Sequence, residues 1–219
     1  MIQFFKYSAG QNLIQRFKAE IGNAEFAQLL DTWLRLAPEN GLPDKADFDP
    51  LEHPSLLPRM WIYELTPDRD DFVCRLAGEE IRHVWGQTTK GMLLSDISAP
   101  GYFRSGHRRW LYCVSAPAVL LGRSIERDHY VVRRLSLPFT DQAGRLFVIG
   151  ASRYDFDYVD PYEERHPFRY SQRAVAVRAV DLIRSAKDPE DSDQPEDPDQ
   201  AAMSSRTWAA QASPSACKS

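Results

Sequence analysis

From Met60 onward the apolar residues stop recurring at helical spacing and fall into short runs bounded by polar turns, and this change of period limits the fold more than any other feature. Before it, Asn23 stands where a helix N-cap belongs, and Phe26, Leu29, Leu30, Trp33, Leu34 and Leu36 follow at helical spacing. Pro38-Glu39-Asn40-Gly41 stops that helix, and a weaker one is expected over residues 11–21 on Leu13, Ile14 and Phe17. After it, strands at 60–65 and 72–76 flank the polar run Thr66-Pro67-Asp68-Arg69-Asp70-Asp71, which reads as a hairpin turn. A short helix at 79–85 closed by Gly86, a turn at 93–97 and a longer helix at 101–115 come next. Strands at 118–125, 129–137 and 145–154 complete the pattern. The loops between them are Glu126-Arg127-Asp128 and Asp141-Gln142-Ala143-Gly144, short enough to make consecutive antiparallel neighbours.

The ends differ in character. Residues 170–186 read as a last helix on Ala176, Ala179, Val180 and Ile183. From Lys187 the chain is acidic and then small and polar, a composition that cannot bury enough apolar area to offset its ordering entropy. The expected organisation is an N-terminal helical extension over 1–32, a core domain over 33–157, a linker and helix over 158–186, and a disordered tail over 187–219.

The 219 residues are 43% hydrophobic and 26% charged, ordinary for a soluble globular protein. The net charge of −4 leaves no electrostatic footprint for nucleic acid. Cys74, Cys113 and Cys217 are too few and too scattered for a disulfide framework, and no C-x-x-C suggests a redox pair or zinc site. No apolar run approaches the roughly 18 residues of a membrane helix, and the N-terminus lacks the apolar core of a signal peptide. These features predict a reduced, soluble, cytoplasmic protein.

The proline-punctuated stretch Leu42-Pro43-Asp44-Lys45-Ala46-Asp47-Phe48-Asp49-Pro50, with Trp33 before it and Leu56-Leu57-Pro58 after it, forbids a long helix. Its apolar Phe48, Leu56 and Leu57 suggest a loop that packs down. This stretch resembles the entry to a bacterial family of PAS-like proteins, short stand-alone chains of alphaproteobacteria. Phe72-Val73-Cys74-Arg75-Leu76-Ala77-Gly78, followed by Gly86 and Lys90-Gly91, is similar to that family's second strand and helical connector. The resemblance covers residues 28–155, although Glu79 stands where the family often has a small or hydroxylated residue. It implies an α+β fold: a five-stranded antiparallel sheet with helices packed over one face to enclose a small cavity. It implies sensing or protein–protein signalling rather than turnover.

In the helix at 101–115, Phe103, His107, Trp110 and Val114 recur at spacings of four, three and four and share one face. In a PAS domain this helix walls the cavity, so these four are pocket candidates. Arg104, Arg108 and Arg109 flank that face as its solvated edge. Some PAS sensors hold haem through a histidine on this helix, which makes His107 the position of an axial ligand; a hydrogen-bonded wall histidine is the commoner case. A flavin photosensor of the LOV type needs a cysteine on the connector helices, and Ile81-Arg82-His83-Val84-Trp85-Gly86 has none. In Tyr130-Val131-Val132-Arg133-Arg134-Leu135 the adjacent arginines face opposite sides of a strand, and Arg133 is the fifth pocket candidate, able to hold a carboxylate or phosphate. The spacings Glu80 to His83 and Glu163 to His166 could present metal ligands on helices, but ordinary surface charge explains them. No serine-hydrolase elbow, zinc-protease, P-loop or dinucleotide motif occurs.

The expectation is a non-enzymatic sensory module that binds a small ligand and relays it by contact with a separate signalling protein, with no nucleic-acid or membrane partner. A homodimer through the apolar stripe of Phe26, Leu30, Trp33 and Leu34 is a further expectation. Two alternatives stay open: a ligand-free interaction adaptor, in which Trp61, Trp110 and Phe147 fill the space, and a haem sensor.

Overall fold

The computed structural model describes residues 2–5, 12–85, 90–98, 100–126, 130–155 and 173–187. Seven strands form one sheet: β1 (Ile2–Phe4), β2 (Met60–Leu65), β3 (Phe72–Ala77), β4 (Ala118–Glu126), β5 (Tyr130–Thr140), β6 (Leu146–Asp155) and β7 (Arg173–Arg178). Their order across the sheet is β1-β7-β4-β5-β6-β2-β3. The five expected strands all form and pair antiparallel, with β2 seated between β3 and β6. The sheet is larger than expected and mixed, because β7 adds antiparallel to β4 and β1 adds parallel to β7.

The residues from 173 to 178 were expected to be helical and are a strand. Ala and Val alternate there, Ala174 and Ala176 on one face and Val177 on the other, and a run this short satisfies either period. The helix α6 (Ala179–Lys187) begins immediately after, opened by the paired contacts of Arg178 Nε and Nη2 with the Asp181 carboxylate at 2.7 and 2.8 Å. The expected disordered tail lies outside the described residues beyond Lys187, which itself closes α6.

Helices cover both faces of the sheet, not one. On the first face lie α1 (Leu13–Ile21), α2 (Ala24–Leu36) and α6, packed on Met60, Ile62, Val119, Leu135, Leu137, Phe139, Phe147, Ile149 and Val177. Asn12 and Asn23 cap α1 and α2, their side-chain oxygens accepting from the backbone of Gln15 at 3.1 Å and of Phe26 at 2.8 Å. Phe17, Phe26, Leu30 and Trp33 are fully buried against the chain's own sheet, each worth about 1.5–3 kcal/mol of removed apolar surface. The stripe expected to join two copies is therefore spent within the molecule. Trp33 Nε1 donates to the Pro138 carbonyl of β5 at 2.8 Å and fixes α2 on the sheet. The connector at 42–59 packs down through Phe48 and Leu56, as its apolar residues suggested.

On the second face lie α3 (Glu79–Trp85), α4 (Leu94–Ile97) and α5 (Pro100–Ser115), over Trp61, Tyr63, Phe72, Leu120, Val132 and Val148. The outer edge of β3 is closed by the segment at 91–93: Cys74 N donates to Met92 O and Gly91 N to Cys74 O. No helix among the described residues is long and apolar enough to cross a membrane.

Candidate functional site

Strand alternation sends Leu120, Gly122 and Ser124 of β4, Arg134 and Ser136 of β5, and Ser152 of β6 toward the second face. The register sets Ala174, Gly122, Arg134 and Ser152 side by side across β7, β4, β5 and β6. The small neighbours leave Arg134 room to lie along the sheet. Its Nε donates to Ser152 Oγ and its Nη1 to Ser124 Oγ, both at 3.1 Å. Ser152 Oγ also accepts from Trp61 Nε1 at 2.9 Å. Ser124, Ser136 and Ser152 are all buried, which places a row of hydroxyls under a guanidinium at the centre of the sheet.

Above that row α5 holds a cavity of about 80 Å³ open. Gly106, Arg109 and Trp110 of α5 form its roof, and Ser98, Leu94 and Trp85 close one side. Trp110 stacks on Trp61 at 4.8 Å and leans on Tyr63 at 4.6 Å and Phe72 at 5.6 Å, so these rings fill the space beside the cavity.

Of the five pocket candidates, Trp110 lines the cavity and the other four do not. Val114 is buried in the aromatic cluster beyond it. Phe103 and His107 lie toward the β2–β3 turn, where the His107 ring is 5.4 Å from Phe103 and 5.7 Å from Phe72. His107 Nε2 lies 3.3 Å from the Arg69 carbonyl, a group that only accepts, so this contact needs a proton on Nε2. Arg69 in turn donates to Ser115 Oγ at 3.2 Å, and the turn is tied to α5 at two points. A haem does not fit here. Phe72 and Phe103 pack on the His107 ring, and the neighbouring cavity of about 80 Å³ is far too small for a macrocycle.

Arg133 is exposed on the opposite side of the sheet, and its neighbour Arg134 takes the cavity position. Arg109, read as part of a solvated edge, lines the cavity, while Arg104 and Arg108 are exposed as expected. Phe147 faces the first layer of helices and cannot fill the cavity. The serines, Gly122 and Ala174 were missed altogether. Their signal was register, since small residues on four strands become adjacent only once the strands are paired.

Burial pushes the Tyr63 hydroxyl far up, helped by the neighbouring Cys74 thiol, and pushes the Cys113 thiol up as well. Both shifts favour the neutral form, the direction opposite to activation of a nucleophile. Among the described residues no three His, Cys, Asp or Glu side chains converge to hold a metal ion. Glu80, one of the spaced glutamates, receives Arg59 Nε on both oxygens at 3.0 Å, and Glu163 and His166 lie outside the described residues.

Comparison with known proteins adds one match: residues 23–141 fit the family model of the PAS domain. No curated protein and no solved structure matches the chain. The matched segment runs from the cap of α2 to the end of β5, more than half of the 219 residues, and it holds α5 and most of the cavity. The chain belongs to the PAS domain family, whose members are in general sensory and signalling modules rather than catalysts.

Proposed function

We propose that the chain is a non-catalytic sensor whose cavity under α5 takes a small ligand and whose response leaves by contact with a separate signalling protein. The observation that carries this reading is Arg134, a charged side chain held by two buried serines at the wall of a cavity in the middle of the fold. A guanidinium and hydroxyls that face a cavity supply the few convergent polar groups by which a small ligand is oriented. The route outward starts at Ala174, which lines the cavity from β7. β7 runs directly into α6, and α6 packs on α1 and α2 on the far face. A ligand that shifts β7 thus shifts the surface formed by these helices, where a partner would read it.

The ligand-free adaptor has one observation in its favour, the packing of Trp61, Tyr63, Phe72 and Trp110 that leaves the cavity small. Native mass spectrometry of freshly purified protein separates the two. The sensor reading expects a retained small mass, or a melting shift with members of a small-molecule panel, and loss of either in Ala174→Met, which fills the cavity. A chain that retains nothing, and that no compound stabilises, is an adaptor.

A further inference from the structure

Arginines stand in register at one end of the sheet. Arg133 of β5 pairs with Arg123 of β4 on one side and with Arg153 of β6 on the other, and Arg123 pairs in turn with Arg173 of β7. Strand alternation puts Arg123, Arg133 and Arg153 on the face of Leu121, Leu135 and Ala151, the first face, and all three are exposed. Like charges directly opposite on paired strands repel. Among the described residues of these strands Asp155 is the one acid on that face, and neither Arg133 nor Arg153 has a hydrogen bond or ion pair. The row lies beside the turn between α1 and α2, where a Cβ on Gly22 would stand 4.0 Å from Arg133 Nη1.

The sequence holds the matching charge next to the same layer of helices. α6 packs on α1 and ends at Lys187. The residues from Asp188 to Asp199 carry seven carboxylates and no Lys or Arg; removing these seven from a net charge of −4 leaves +3. We propose that this acidic run docks on the arginine row of its own chain. The reach is sufficient. Neighbouring strands stand about 4.8 Å apart, so a row across four strands is about 14 Å long. A run of this length spans up to about 40 Å when extended. A tether so short holds the carboxylates at a millimolar effective concentration, against which a free acidic peptide competes poorly. The contact covers the end of the sheet beside α1 and α2, so an acidic partner reaches the arginines only by displacing it. It does not depend on what the cavity binds.

The test uses the full chain carrying Cys217→Ser and Ser192→Cys, spin-labelled at residue 192, since Cys74 and Cys113 are buried. The amides of Gly22, Arg133 and Arg153 are expected to broaden selectively. That broadening is expected to vanish at about 1 M salt, where the Debye length is about 3 Å. Arg133→Gln combined with Arg153→Gln is expected to remove it too. Replacing the seven carboxylates by amides leaves the sheet untouched and is expected to have the same effect, so the outcome stays readable if the arginine variant fails to fold. Broadening spread evenly over the surface, centred on another site, or indifferent to salt and to both sets of substitutions overturns the proposal. Equal broadening of an unlabelled, isotope-enriched chain mixed with the spin-labelled one overturns it as well, because the contact then belongs to a second copy.

Discussion

The indoles of Trp61 and Trp110 stack with centroids 4.8 Å apart and planes inclined by 27°, joining the start of β2 to the C-terminal half of α5. Both rings are nearly fully buried, and Trp61 is further held by its bond to Ser152. The same contact sets how far α5 stands from the sheet, and so sets the height of the cavity. Trp110→Ala removes the anchor and is expected to cost about 3–5 kcal/mol, read by urea denaturation. A loss below about 1 kcal/mol, the scale of a minor core change, would show that other contacts seat the helix.

Gly150 is the reason Trp61 can lie flat on the sheet. A Cβ at this position would stand 2.6 Å from the Trp61 ring and 2.1 Å from the Leu135 carbonyl. The second contact is with backbone, which cannot swing aside. Gly150→Ala is expected to destabilise by about 1–3 kcal/mol or more, as overpacking does, and to alter the Trp61 fluorescence. Unchanged melting would mean that β5 and β6 separate more readily than their continuous pairing implies.

The five strands β2 to β6 were legible because polar turns bound them and the loops within the β2–β3 and β4–β5–β6 runs are short. The face assignment of Arg133 and Arg134 was not. Leu135, Leu137 and Phe139 share the parity of Arg133, and with one covered face the apolar side must be the cavity side. Here the apolar side packs on α1, α2 and α6, and Val132 on the other parity is just as buried. The N-terminal stripe of Phe26, Leu30, Trp33 and Leu34 carried the missing information, since a face that wide needs a surface to cover. Likewise Gly106 and Arg109 on α5 mark the cavity because the small glycine and the long arginine sit beside Trp110, a combination that spacing of apolar residues alone does not reveal.

His53 is buried in the connector, stacked on Phe48 at 6.2 Å, and its Nε2 has no hydrogen-bond partner. Burial lowers its pKa from the ordinary 6.5; Glu52 opposes the shift and Arg35 of α2 adds to it. Because the folded value lies below the unfolded one, the unfolded chain takes up the proton first as the pH falls. The contribution is therefore complete above about pH 6.5 and is lost progressively below it. Melting temperatures of the native chain and of His53→Leu, measured between about pH 8 and 5 across the histidine range, are expected to diverge. The native chain should fall more steeply on the acid side. Parallel curves would place the acid sensitivity elsewhere.

Cys74 and Cys113 are both fully buried, Cys74 on edge strand β3 and Cys113 on the inner face of α5. The Cys113 thiol donates to the Ala118 carbonyl at 3.1 Å, and burial raises its pKa, so little thiolate forms near neutrality. Alkylation requires thiolate and access together, and the folded chain supplies neither at Cys113. Iodoacetamide is thus expected to leave residues 74 and 113 unmodified in the native protein and to modify both in denaturant, as read by peptide mass spectrometry. The rate at Cys113 also reports on α5, because its sulfur cannot be reached until the helix lifts from the sheet. Labelling at Cys113 in native buffer as fast as in denaturant would mean that α5 opens freely, and the cavity beneath it would then have no fixed roof.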